Sequence, residues 1–277
     1  MGRVRHESLY GIEILKIDRL IPEHANLQCN KSNMRAAMSY YRVSLICAFA
    51  AVWVWAAIKP VYPHDWLLEN YLVFIFLPLI LISGRYFKLS DLSYTLITLF
   101  MILHVIGSHY TYAEVPFGET LKQWLGAERN MYDRLVHFTF GFLLAYPMRE
   151  VFLRLSKVKG FWGFYLPLDV TLSFSALYEI IEWGIAQKVA PGAGIAFLGS
   201  QGDIWDAQKD MTMAGIGALL AMIIIGVINW KWNPDFGREF REGFRIQKGD
   251  RPLGEEKLKE WLRRSRRVKR QDGAKAT

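Results

Sequence analysis

Cysteine is scarce in this 277-residue chain: only Cys29 and Cys47 occur. The first precedes the first apolar run and the second lies inside it, so one belongs in cytosol and one in lipid, and a disulfide between them would need strong distortion. There is no Cys-x-x-Cys, no His-Glu-x-x-His and no glycine-rich phosphate loop, which removes the commonest redox, zinc-protease and nucleotide signatures. Charge is also sparse, with 22% of residues charged against 52% hydrophobic and a net charge of +8. Lys and Arg crowd at both ends, so the middle is too apolar to leave the polar surface that a water-soluble domain requires. No run alternates in polarity as a membrane β-barrel strand would.

What is present is a series of continuous apolar runs, each near the ~20 residues that a crossing helix needs. They cover Tyr41 to Ile58, Leu67 to Ser83, Leu92 to Ser108, Tyr132 to Phe152, Phe161 to Ala186 and Met211 to Asn229. The expected fold is therefore all-α, a polytopic six-helix transmembrane bundle. Residues 1–39 form a cytoplasmic N-terminal segment, 40–230 the membrane domain and 231–277 a basic cytoplasmic tail. The stretch GIEILKIDRLIPEHANLQCN has no membrane character, which makes Met34 or Met38 a candidate start; a forty-residue polar lead is too long for a cleaved signal peptide.

Orientation follows from the short loops. Arg85 and Lys88, then Arg149, Arg154, Lys157 and Lys159, and the basic set after Trp230 all fall on one side. That side is expected to be cytoplasmic, with both termini on it. The tail from Glu255 to Arg270 can form a short basic helix with Leu258, Trp261 and Leu262 on one side, suited to anionic lipid or simply to enforcing topology. No nucleic-acid motif accompanies that charge, and the expected partner is the bilayer.

Oriented this way, polar residues gather at the outer helix ends. His64, Asp65, Glu69 and Asn70 lie at the start of the second run, His104 and His109 at the end of the third, and Asp133, Arg134 and His137 at the start of the fourth. Glu179 and Glu182 close the fifth, and Asp203, Asp206 and Asp210 open the sixth. The i,i+4 pair Asp133 and His137 shares a helix face, as do Glu179 with Glu182. Ionisable groups inside spanning segments are costly unless they meet a partner or a cavity, so they are functional candidates.

Each has a plainer reading. Asp133, Asp206 and Asp210 sit where a carboxylate caps a helix, Arg134 and Lys209 can be ion-pair partners, and His104 can be a packed core histidine. The long connections from His109 to Arg134 and from Lys188 to Asp210 are expected to fold over the outer face. Gly215 and Gly217 with Ala214 and Ala218 give the sixth helix a small-residue face for close packing.

The motifs HYTYAEVP, NMYDRLVHFTFGFLLAYPMRE, ALYEIIEW and GSQGDIWDAQKDM resemble the YjdF-like family of bacterial inner-membrane proteins, from about Met38 to Trp230. That resemblance implies a multi-pass inner-membrane protein and supplies no reaction. A more distant similarity is to VanZ-like membrane proteins of the cell envelope. It rests on Asp133, His137 and Phe138, a later Glu179, and Asp206 with Asp210 leading into a small-residue helix. Two departures are Arg134, which replaces a Lys, and Met211 to Gly215, which lacks an expected Asn. This similarity implies that the polar positions act as one unit.

The expected function is a cell-envelope enzyme acting on a lipid or lipid-linked substrate at the outer leaflet. Asp133, His137, Glu179, Asp206 and Asp210 are the candidate catalytic residues, with His137 and Asp133 as the acid/base pair. Candidate substrate contacts are His104, His109, Tyr110, Tyr112, Arg134, Glu182, Asp203 and Gln208. A divalent metal on Glu179, Asp206 and Asp210 is the cofactor option. An ion-coupled transporter and a non-catalytic assembly factor are the alternatives; transporters usually show repeated halves and a midplane site, and these halves look unlike.

Overall fold

The computed structural model describes residues 31–188, 201–245 and 254–264. Most of the N-terminal segment, including Cys29, the centre of the second long connection and the far end of the basic tail lie outside the described residues. The chain is all-helical: α1 (Lys31–Ala57), α2 (Pro63–Tyr86), α3 (Asp91–His109), α4 (Pro116–Leu125), α5 (Tyr132–Arg154), α6 (Trp162–Ala186), α7 (Asp206–Trp232) and α8 (Phe236–Glu242). A further helix covers 255–264, with Leu258, Trp261 and Leu262 all exposed; the rest of the expected tail helix, 265–270, lies outside the described residues.

Among the described residues, five helices are long and apolar enough to cross a membrane: Tyr40–Ala57 within α1, then α2, α3, α6 and α7. The protein is a polytopic membrane protein. Its outer faces carry exposed Leu79, Ile82, Ile180, Ile223 and Val227, an arrangement that only lipid contact satisfies. Cys47 is an exposed free thiol on α1. The fourth apolar run becomes α5, which is as long as its neighbours but less apolar. It packs against α3, α6 and α7 and is the central helix of the bundle, so its polar residues face protein rather than lipid.

Small residues set the closest crossing. A Cβ at Gly141 of α5 would strike the carbonyl oxygen of Ala214, and one at Gly217 of α7 would strike the carbonyl oxygen of Phe138. Without Cβ atoms the two backbones touch, with Ala214 and Ala218 fully buried beside them. Gly215 instead faces Leu172 of α6. This contact brings the first turns of α5 and α7 together.

Two polar clasps hold the remaining helices. Trp53 Nε1 donates to Asn70 Oδ1 at 2.7 Å, and Asn70 Nδ2 donates to the Trp66 carbonyl at 2.7 Å and to Ser108 Oγ at 3.3 Å. These bonds tie α1, α2 and α3 at the end of the bundle where α5 begins. At the opposite end Glu150 accepts from Ser90 N at 2.9 Å and from Ser93 Oγ at 2.5 Å, and pairs with Arg154, while Arg42 meets Asp91 at 2.7 Å. Phe236, Phe240 and Phe244 then pack on Phe161 and Phe164.

Candidate functional site

The first turns of α5 and α7 and the last turns of α6 meet in one buried ionic layer. Arg134, 5% exposed, is its hub. Its guanidinium contacts Asp206 Oδ1 at 2.6 Å and Asp203 Oδ2 at 3.2 Å, and it also pairs with Asp210. Arg129, one turn before Asp133, pairs with Asp206 and reaches Asp133 at 3.4 Å. Forked guanidinium groups suit such shared carboxylates because each presents several donors in one plane. Asp203 also meets Lys209 Nζ at 2.7 Å and accepts from Trp205 N at 3.1 Å; the Lys209 ammonium holds its carboxyl below the usual range.

Beside this network lies a second group. His137 Nε2 is 3.6 Å from Asp133 Oδ1 and 3.6 Å from Glu179 Oε1. Those spacings exceed a hydrogen bond yet leave the three groups in strong electrostatic contact in a dry setting. Two carboxylate oxygens, Glu179 Oε1 and Asp210 Oδ1, are buried without a hydrogen-bond partner among the described residues. Buried acceptors of this kind are uncommon in native structures, and each calls for an explanation such as a catalytic role or a bound water or ion. Asp133, His137 and Asp210 each offer one donor atom, all within 4.8 Å of one another.

The layer thus unites Asp133, Arg134, His137, Glu179, Asp203, Asp206 and Asp210. The ligand-spaced trio shares only Asp210 with the expected metal set of Glu179, Asp206 and Asp210; Asp206 is taken up by the two arginines. Glu182 is half-buried on α6 and feels the charges of Glu69, Glu179 and Asp133. Gln208 is exposed on α7.

The histidines and tyrosines of the first connection go elsewhere. His104 is 2% exposed, its Nε2 sits 3.2 Å from the Glu69 carbonyl and its Nδ1 2.5 Å from the Tyr112 hydroxyl. Both ring nitrogens are satisfied, so His104 is a core histidine. Burial pushes the Tyr112 phenol well above its ordinary value, keeping it a neutral donor. His109 stacks on Trp55 at 4.7 Å and reaches the Ala56 carbonyl at 3.0 Å, with Tyr110 against the same pair; they fasten α3 to α1. Replacing Tyr112 by Phe leaves a buried imidazole nitrogen unpaired, which costs about 1–3 kcal/mol. Thermal unfolding in detergent should show the loss, with any activity of the folded fraction unchanged.

Several members of the layer carried little sequence signal. Arg129 reads as a loop charge, although it lies four residues before Asp133. Tyr178 donates to Glu69 Oε2 at 2.9 Å, linking α6 to α2, but an aromatic residue beside Glu179 looks like packing. Asn130 and Gln201 bind across the two long connections, Asn130 N donating to Gln201 Oε1 at 2.9 Å.

The family model described as "Predicted membrane protein (DUF2238)" matches residues 41–231. The chain belongs to the DUF2238 family. "Inner membrane protein YjdF" of Escherichia coli (strain K12) is 42% identical over 178 residues, which covers 63% of this chain and 85% of that relative. No solved structure matches. The DUF2238 region spans every residue of the ionic layer and ends with α7, leaving the basic tail outside it.

Proposed function

We propose that the protein is a membrane-embedded enzyme of the cell envelope, acting on a lipid or lipid-linked substrate at the outer leaflet. The observation that carries this reading is the ionic layer with two buried, unpartnered carboxylate oxygens, Glu179 Oε1 and Asp210 Oδ1. In a network built only for stability each such unsatisfied oxygen is a penalty.

The setting is the inner membrane, where the E. coli relative is named to reside. In this reading α5 is a sixth crossing, shielded from lipid by α3, α6 and α7, and both termini are cytoplasmic. The end with Arg85, Arg149, Arg154 and Lys157 faces the cytoplasm by the positive-inside rule. The ionic layer then lies near the outer head groups, under connections that act as caps.

Glu179 is the group that exchanges a proton with the substrate, because its Oε1 has no hydrogen-bond partner and faces His137 at 3.6 Å rather than either arginine. His137, between Glu179 and Asp133, orients it. Arg134 is committed to Asp203, Asp206 and Asp210 and serves as the frame that holds α7 to α5, not as a contact for a free head group. The layer's position at one bundle end, not its middle, favours lipid chemistry over transport.

The test is conversion of envelope lipid extract by the protein in nanodiscs, followed by mass spectrometry. A lipid species whose mass changes only with the protein present is the expected result. No change in any lipid, with the protein folded, would overturn the enzymatic reading.

A further inference from the structure

We infer that Asp133, His137 and Asp210 form a binding site for one divalent first-row metal ion. This deepens the enzymatic reading, and its test is arranged so that either can fail alone.

Geometry comes first. Three side chains from two helices, α5 and α7, offer one donor atom each, all within 4.8 Å of one another. Donors bonded to such an ion at about 2.1 Å stand roughly 3–3.5 Å apart in a tetrahedral site. His137 Nε2 and Asp133 Oδ1 are already 3.6 Å apart, so a modest inward movement completes the site. The α5–α7 contact at Gly141 and Gly217 fixes the spacing from which they close.

The second observation is Asp210. Its side chain is 3% exposed, its Oδ2 pairs with Arg134 and its Oδ1 has no partner among the described residues. A carboxylate so deeply buried, with one oxygen paired, the other unpartnered, and a donor atom within 4.8 Å of those of His137 and Asp133, has the form of a metal ligand.

Charge is the third. Asp133, Glu179, Asp206 and Asp210 face the guanidinium groups of Arg129 and Arg134 in one layer. Asp203 has Lys209 as its own counter-ion. With all four carboxyls ionised the layer holds two negative charges more than its guanidinium groups balance, which a divalent ion would neutralise. One imidazole nitrogen with two carboxylate oxygens suits Zn2+ or Mn2+ better than Ca2+ or Mg2+, which prefer oxygen alone. Glu179 is not one of the three ligand-spaced groups, which leaves it for the acid/base role given to it above.

The experiment uses the full chain purified in detergent, stripped by chelator, equilibrated with Zn2+ or Mn2+ and freed of loose ions by gel filtration. Metal content is then measured by mass spectrometry. The parent should retain about one ion per chain of at least one of the two metals. Asp133→Asn, His137→Gln and Asp210→Asn should each weaken retention about a hundredfold or more, given that loss of even an outer-shell partner costs 10–100-fold. Glu119→Gln, a change on α4 outside the ionic layer where the side chain pairs with Lys122, should bind as the parent does. If Asp210→Asn does not fold, the other two variants carry the test, because they leave the Arg134–Asp210 pair intact. A parent that retains neither metal, or variants that retain it equally, would overturn the site. A retained ion without lipid conversion removes the enzyme and keeps the site; conversion without an ion does the reverse.

Discussion

Arg134→Leu is expected to cost about 3–5 kcal/mol, the range for removing one partner of a buried ion pair. The guanidinium is 5% exposed and meets Asp203, Asp206 and Asp210 at once. Without it Asp210 is left as a buried carboxylate with neither oxygen held, and Asp206 keeps only Arg129. Three carboxylates then repel across the α5–α7 junction. Thermal unfolding in detergent should show the folded population collapsing, whereas Arg134→Lys, which keeps the charge but loses the fork, should fall between the two. A Leu variant as stable as the parent would mean that the layer is not held by this hub.

Gly217→Val should be of similar size and act by sterics alone. An added Cβ meets the Phe138 carbonyl oxygen and lies 2.9 Å from Phe142 N, both backbone atoms of α5 that cannot rotate away. Overpacking of a tight interior costs about 1–3 kcal/mol when side chains can adjust; here only separation of the helices relieves it. Gly226→Ala is the matched control, because its Cβ meets the Phe164 ring edge at an ordinary 3.8 Å. Folded yield after gel filtration should fall sharply for the first variant and stay unchanged for the second.

The apolar runs made the helices legible, and the i,i+4 spacing made the Asp133–His137 pair legible. Asp133 and His137 do face each other, and Asp206 and Asp210 both turn toward Arg134. Helix rotation was not legible in the same way. A helix that is apolar nearly all round has no periodicity to say which side faces inward, so equal depth did not reveal that His104 turns to Tyr112 while His137 turns to Glu179. Glu179 faces His137, and Glu182 lies near Glu69, Glu179, Asp133 and Tyr178. The charged residues of α5 would be costly on a lipid-facing helix and become natural at the centre of the bundle. Arg129 and Tyr178 join only through tertiary contact, for which one chain offers no pattern.

The central claim is that the ionic layer is a place of chemistry rather than a structural lock, and Glu179→Gln tests it most directly. Gln keeps the size of the side chain, and the oxygen it alters has no hydrogen bond to lose. Thermal stability and lipid conversion should be measured on the same nanodisc preparation. The account predicts an unfolding temperature equal to or above the parent's and a conversion rate lower by about a hundredfold or more, the scale of a lost general acid or base. An unfolded variant, or a folded one that converts lipid at the parent's rate, would contradict it.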